Sequence, residues 1–201
     1  MVTTRNIKKV FRLATQREIV DGQIWYTRAR KECQAVADQF GMPLHIVVGV
    51  VSALSPNNKW ERNVVNAVSL CDAFCNGDAV ESVKVSTYNT MRDKAWRILE
   101  SNGDEDEVLT ILNGPKIKSF FKCIMGYDEC CIDGHARNIA YNERIGLTSA
   151  ALNISPKEYV TLGDVYRKAA KQLTIEEGYN LKPYEVQAIT WVAWRRIHNI
   201  T

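Results

Sequence analysis

The chain has 201 residues, 46% of them hydrophobic, and carries 26 Lys and Arg against 23 Asp and Glu for a formal net charge of +3. That length suits one domain, a monomer burying about 70% of its unfolded surface without a staple. The mild positive charge permits nucleic-acid binding without arguing for it, and no apolar run approaches the ~20 residues of a membrane span.

The basic N-terminal stretch Met1 to Lys9 has no apolar segment behind it, so it does not read as a secretory leader, and a soluble, cytoplasmic protein is expected. Apolar residues then recur at helical spacing, first as Trp25, Ala29, Cys33, Val36, Ala37 and Phe40, then as Trp60, Val64, Ala67, Val68, Cys71, Phe74 and Cys75. Breaks fall at Gly41-Met42-Pro43, Ser55-Pro56-Asn57-Asn58, Asn76-Gly77, Asn102-Gly103, Asn113-Gly114-Pro115 and Asp133-Gly134. The acidic run Asp104 to Glu107 reads as a solvated first helical turn. Ser155-Pro156-Lys157-Glu158 is a capping box opening a helix through Tyr159, Leu162, Tyr166 and Leu173, and a last helix starts near Lys182-Pro183 and carries Gln187, Trp191 and Trp194. The pattern predicts an all-α chain, residues 1–201 forming a single domain of about nine or ten helices.

The six cysteines contain no Cys-x-x-Cys arrangement, and neighbouring Cys130 and Cys131 do not readily bridge each other, so they read as reduced thiols placed mostly in the core. Cys71 and Cys75 lie four apart on a predicted helix, which is half of a metal site. No second pair follows them, so no metal is expected.

Two residues stand out as chemistry. Lys116 follows the glycine turn Asn113-Gly114-Pro115, and Asp133 precedes Gly134-His135-Ala136-Arg137 at the start of the next predicted helix. Each has a plain reading by itself, Lys116 as a solvated charge in a first turn and Asp133 as an N-cap. Together they are the two groups needed to attack a nucleotide sugar and to steady the positive charge that develops on it. A lysine attacks only as the neutral amine, which a neighbouring cation such as Lys118 favours.

This layout resembles the helix-hairpin-helix DNA glycosylase superfamily. In that family a Leu-Pro-Gly-Val-Gly-x-Lys hairpin carries a nucleophilic lysine and a Val-Asp-Thr-His segment carries the aspartate. Leu112-Asn113-Gly114-Pro115-Lys116 is similar to a shortened form of the first, lacking its Val-Gly half, and Ile132-Asp133-Gly134-His135 to the second. Val51-Ser52-Ala53-Leu54-Ser55-Pro56 followed by Asn63 is similar to the family's base-stack wedge, with Leu54 where the repair enzymes have glutamine. No cysteine follows Cys131, so the four-cysteine iron–sulfur cluster of some relatives is excluded and no cofactor is expected. The chain also resembles small phage proteins of this fold that hypermodify thymine, the alpha-glutamyl-putrescinyl-thymidine pyrophosphorylases. The resemblance lies in Trp25-Tyr26, Ala53-Leu54-Ser55-Pro56 with Trp60 and Asn63, Gly114-Pro115-Lys116 with Phe120, and Gln187-Ala188-Ile189-Thr190-Trp191.

The resemblance implies two helical lobes around a cleft, with Lys116 and Asp133 at its mouth, and an enzyme acting on a base flipped out of double-stranded DNA. A flipped base needs an aromatic pocket, for which Tyr26, Trp60 and Trp191 are candidates, and Gln187 is a candidate reader of its edge. Asn57, Asn58 and Lys59 in the Pro56 loop are candidates to contact phosphate or the orphan base, and Asn63, Gly114, Lys118, His135 and Arg137 are further candidate substrate- or DNA-binding residues. A DNA-binding patch of Lys59, Arg62, Lys116, Lys118, Lys122 and Arg137 is expected. Three functions remain open: a glycosylase with lyase activity; a transferase that displaces pyrophosphate from an activated 5-hydroxymethyl group with an amino acid or amine as co-substrate, placed in the host cytoplasm if phage-encoded; and a DNA-binding helical module without catalysis.

Overall fold

The computed structural model describes residues 2–101, 103–147, 149 and 152–200. Among them are ten α-helices and a 3-10 turn at Val80–Ser82, 73% helix with no strand, which makes the chain all-α. No helix among the described residues is both long and apolar enough to cross a membrane. Of the predicted breaks, Asn102 lies outside the described residues.

Contacts divide the chain into two compact units, one made of Met1–Tyr26 with Gly126–Thr201, the other of Thr27–Met125. The second unit is built around α3 (Leu44–Ala53), in which every residue from Ile46 to Ala53 is buried. A helix apolar on all sides has to be surrounded. Here α4 (Trp60–Asn76), α5 (Asn89–Ser101), α6 (Glu105–Leu112) and α7 (Pro115–Met125) all pack on it. Gly49 lets α5 and α6 close in, since a Cβ there would sit 2.6 Å from Val108 Cγ1 and 3.1 Å from Ile98 Cγ2.

The buried face of α4 differs from its apolar stripe. Asn63 and Asn66 are buried with Ala67, Leu70 and Cys71, while Val64, Val68 and Phe74 are half-buried and Cys75 is exposed. The cause is the end of α3, whose last carbonyls have no partner within the helix. Asn63 Nδ2 donates to Val51 O at 2.9 Å, and Asn58 Nδ2 donates to Leu54 O at 3.2 Å. Asn66 Oδ1 accepts from the Ser86 amide at 2.8 Å.

The first unit joins α1 (Thr4–Arg12) and the first turns of α2 (Gln16–Phe40) to α8 (Gly134–Tyr141), α9 (Pro156–Glu177) and α10 (Pro183–Ile197). Its core includes Ile7, Phe11, Ile139, Leu162, Tyr166 and Trp194. Gly22 of α2 lies directly on the α10 backbone, where a Cβ would meet Ile189 Cα and N at 2.6 Å. Ser155 caps α9, its Oγ accepting from the Glu158 amide at 3.2 Å, while the Glu158 carboxylate, the other half of the expected box, turns to Arg137 at 3.0 Å. At α10 the reverse bond closes the helix start, Glu185 accepting from the Lys182 amide at 2.7 Å.

Candidate functional site

Lys116 belongs to the second unit. α6 ends and α7 begins across a two-residue turn, Asn113 with φ 30° and Gly114 with φ 88°, and Pro115 is the first residue of α7. Only glycine adopts the second of these angles without strain, and proline loses nothing at a first helical position because its missing N–H would be unpaired there anyway. The turn is clamped by Lys94 of α5, whose ammonium donates to Asn113 Oδ1 at 2.7 Å and to Leu112 O at 3.4 Å. Burial, and then the neighbouring Arg97, hold the Lys94 pKa below the usual lysine value. Lys116 is exposed at the head of α7, and Lys118 and Lys122 are half-buried further along it. The far end of α7 is tied down by Arg30, which donates to Met125 O.

The other second-unit candidates take two kinds of position. Trp60 packs edge-on against Phe120 with centroids 6.5 Å apart, and its indole N–H donates to Glu32 at 2.8 Å. Asn57, Lys59 and Arg62 are exposed, Asn57 with φ 52° in the loop between α3 and α4. Asn58 and Asn63 point inward onto α3, and Thr87 Oγ1 donates to Pro56 O from outside the loop. The expected wedge loop is therefore pinned at Leu54, Pro56 and Val51, with Asn57 and Lys59 the residues it presents. The Oδ1 atoms of Asn58 and Asn63 and the hydroxyl of Ser52 are buried without a hydrogen-bond partner.

In the first unit Asp133 is the N-cap of α8, its Oδ1 accepting from the Ala136 amide at 2.7 Å. Two tyrosines of α9 fix this helix start. The Tyr159 hydroxyl accepts from the Ile132 amide at 3.0 Å and donates to Cys130 O at 3.4 Å, while the Tyr166 hydroxyl donates to Ala136 O at 3.2 Å. Gly134 is covered by Leu147 and Leu152. His135 is buried beside Trp191 with ring centroids 6.4 Å apart, and the guanidinium of Arg195 lies 4.5 Å over the Trp191 ring. Gln187, one turn before Trp191, accepts the Tyr26 hydroxyl at 3.0 Å, and Tyr26 packs edge-on against Trp25 and Tyr184. Arg137 is held by Glu158 at 3.0 Å and Glu143 at 3.3 Å and stacks 4.4 Å over Tyr141, so its charge is spent within its own unit rather than on an open patch.

The structure thus gathers Asp133, His135, Gln187, Trp191 and Tyr26 in one unit, and Lys116, Lys118, Gly114, Trp60 and the Asn57 loop in the other. Sequence reasoning missed Lys94, Tyr159 and Tyr166. The tyrosines were visible only as members of an apolar stripe, and Lys94 carried no signal, being one of several cations on an amphipathic helix. Among the described residues no cluster of three His, Cys, Asp or Glu side chains is arranged to hold a metal. Residues 1–198 match the model of a family of unknown function (DUF7178), and the chain belongs to that family. No curated protein and no solved structure matches it.

Proposed function

We propose that this member of the family acts on a nucleobase flipped out of double-stranded DNA, as a helix-hairpin-helix glycosylase with lyase capacity. The observation that carries the reading is the hairpin, in which α6 and α7 meet at Asn113-Gly114 and leave Lys116 exposed at the head of a helix. In the proposed step the Lys116 amine attacks C1′ as the glycosidic bond breaks. The base leaves with the bonding electrons and takes up a proton; the attached amine loses a proton, and its nitrogen then expels O4′, which is protonated as the sugar ring opens to the Schiff base. Asp133 steadies the positive charge at C1′, its Oδ2 lying outside the cap bond that Oδ1 makes to Ala136. Gln187 reads the base edge beside Trp191 and Tyr26. The reading requires Lys116 and Asp133 to reach the same nucleotide.

A second reading draws on the same exposure of Lys116, because a solvent-facing lysine grips a phosphate in its ammonium form, whereas attack on carbon needs its neutral amine. Here an amine nitrogen attacks the methylene carbon of an activated 5-hydroxymethyl base, the carbon–oxygen bond breaks, pyrophosphate leaves with its electrons, and the amine gives up a proton to solvent. Incubating the protein with DNA containing 5-hydroxymethyluracil, or its pyrophosphorylated form plus an amine, and analysing bases and nucleosides by mass spectrometry separates the possibilities. Released free base supports the glycosylase, and an amine-dependent gain of mass on the nucleoside supports the transferase. Unchanged DNA that is nonetheless bound leaves a non-catalytic binding module and overturns both.

A further inference from the structure

The groove between α1, the segment after α8 and the end of α10 uses none of the residues assigned above to the reaction. Its volume is about 290 Å³, and all of its lining belongs to the first unit. The floor is apolar, made by Val10, Trp194 and Ile197, with Leu13 at one lip. Leu13 is 52% exposed, an apolar side chain left in water beside a hollow. Trp194 is buried against His198 with ring centroids 4.0 Å apart, so a second ring continues the floor outward.

The rim is cationic. Lys9 stands on the α1 side and Arg144 on the other, both exposed. Arg144 uses one N–H to reach His198 O at 3.3 Å, leaving most of its five donors for a ligand. Glu143, the one carboxylate of the lining, is taken by Arg137 at 3.3 Å. Burial, and then the Arg144 charge, hold the His198 imidazole below the usual histidine range, which makes it an uncharged ring near neutral pH.

We propose that this groove binds a small planar anion of about the size of a nucleoside monophosphate, with its ring on the Trp194 and His198 floor and its phosphate between Lys9 and Arg144. The volume lies at the lower end of small-molecule sites, which suits one nucleotide rather than a strand. The apolar floor takes a ring that bare phosphate lacks, and the two cations take a charge that a nucleoside lacks. A nucleotide therefore uses both halves of the site. The site stands on its own observations and does not depend on the glycosylase or transferase reading.

Calorimetric titration of the whole chain at low salt tests it, with adenosine and thymidine 5′-monophosphates, the two nucleosides and inorganic phosphate as probes. The expected result is saturable binding of a monophosphate, about tenfold tighter than of its nucleoside or of phosphate. Arg144→Ala and Lys9→Ala should each weaken it by about fivefold, while Lys168→Ala, removing an exposed cation from α9, leaves it unchanged. Melting curves confirm that the variants stay folded. No saturable heat up to about 5 mM, phosphate binding as tightly as the nucleotide, or indifference to both groove substitutions overturns the proposal.

Discussion

The two units solve the same packing problem in opposite ways. The second wraps a helix that is apolar on every side, and its close approaches are side chain against backbone, with Val108 and Ile98 reaching Gly49. The first is assembled from the two ends of the chain, sets backbone on backbone where Gly22 meets Ile189, and fixes its helix starts with buried hydroxyls from Tyr159 and Tyr166. The difference carries into the chemistry each can support. The first unit immobilises polar groups, Asp133 in a cap and Gln187 against Tyr26, whereas the second presents exposed cations on a hairpin and a loop. A preorganised carboxylate and amide suit charge stabilisation and base reading, and exposed cations suit phosphate and sugar.

The sharpest way to break this comparison is at the two glycines. Gly22→Ala drives a Cβ into the Ile189 backbone, which cannot swing aside, and should cost about 3 kcal/mol in urea unfolding. Gly49→Ala meets side chains that can rotate and should cost about 1–2 kcal/mol. Equal costs, or the reverse order, would remove the distinction between the units.

Tyr166→Phe deletes a fully buried hydroxyl from Ala136 O and should cost about 1–1.5 kcal/mol, with faster amide exchange at the start of α8. Unchanged exchange there would show that the tyrosine does not hold the Asp133 cap.

Acid separates the units more gently. Glu18 is held below its ordinary 4.5 by Arg196 first and by the Thr15 amide, and Glu176 by Lys8 first and then by Arg12. Depressed carboxylate values give stability that is complete above about pH 4.5 and lost as the pH falls through the folded values. Glu185, raised by burial, works in the opposite sense and offsets part of the loss. Hydrogen exchange near pH 3 should therefore open α1 and the ends of α9 and α10 before α3, and earlier opening of α3 would contradict this.

The smallest expected effect is at Lys94. Lys94→Met removes the bonds to Leu112 O and Asn113 Oδ1 and should weaken DNA binding about threefold without shifting the melt by more than about 2 °C. Loss of the fold instead would make Lys94 a structural strut of the unit rather than a clamp on its turn.

Much of the helical layout was legible because its signals are local. Proline and glycine mark both sides of the hairpin, Ser155-Pro156 opens α9, and Asp133 caps α8 from its own first turn. The buried face of α4 was not legible, since Asn63 and Asn66 are drawn inward by the open end of α3 and by Ser86, distant acceptors and donors that no period in α4 records. The same holds for Arg137, whose partners Glu143 and Glu158 come from two other segments. The sequence pointed to Lys116 and Asp133, but the groups that hold their surroundings, Lys94, Tyr159 and Tyr166, act across the fold.

The central claim is that Lys116 attacks a nucleotide sugar, and borohydride trapping on abasic and modified-base DNA tests it most directly. The account predicts a covalent protein–DNA adduct that disappears in Lys116→Gln while DNA affinity stays nearly intact. Asp133→Asn should slow the trapping, with its cap loss of about 1 kcal/mol measured separately by unfolding. An adduct that persists in Lys116→Gln, or no adduct on either DNA together with an amine-dependent mass gain on thymine, would contradict it.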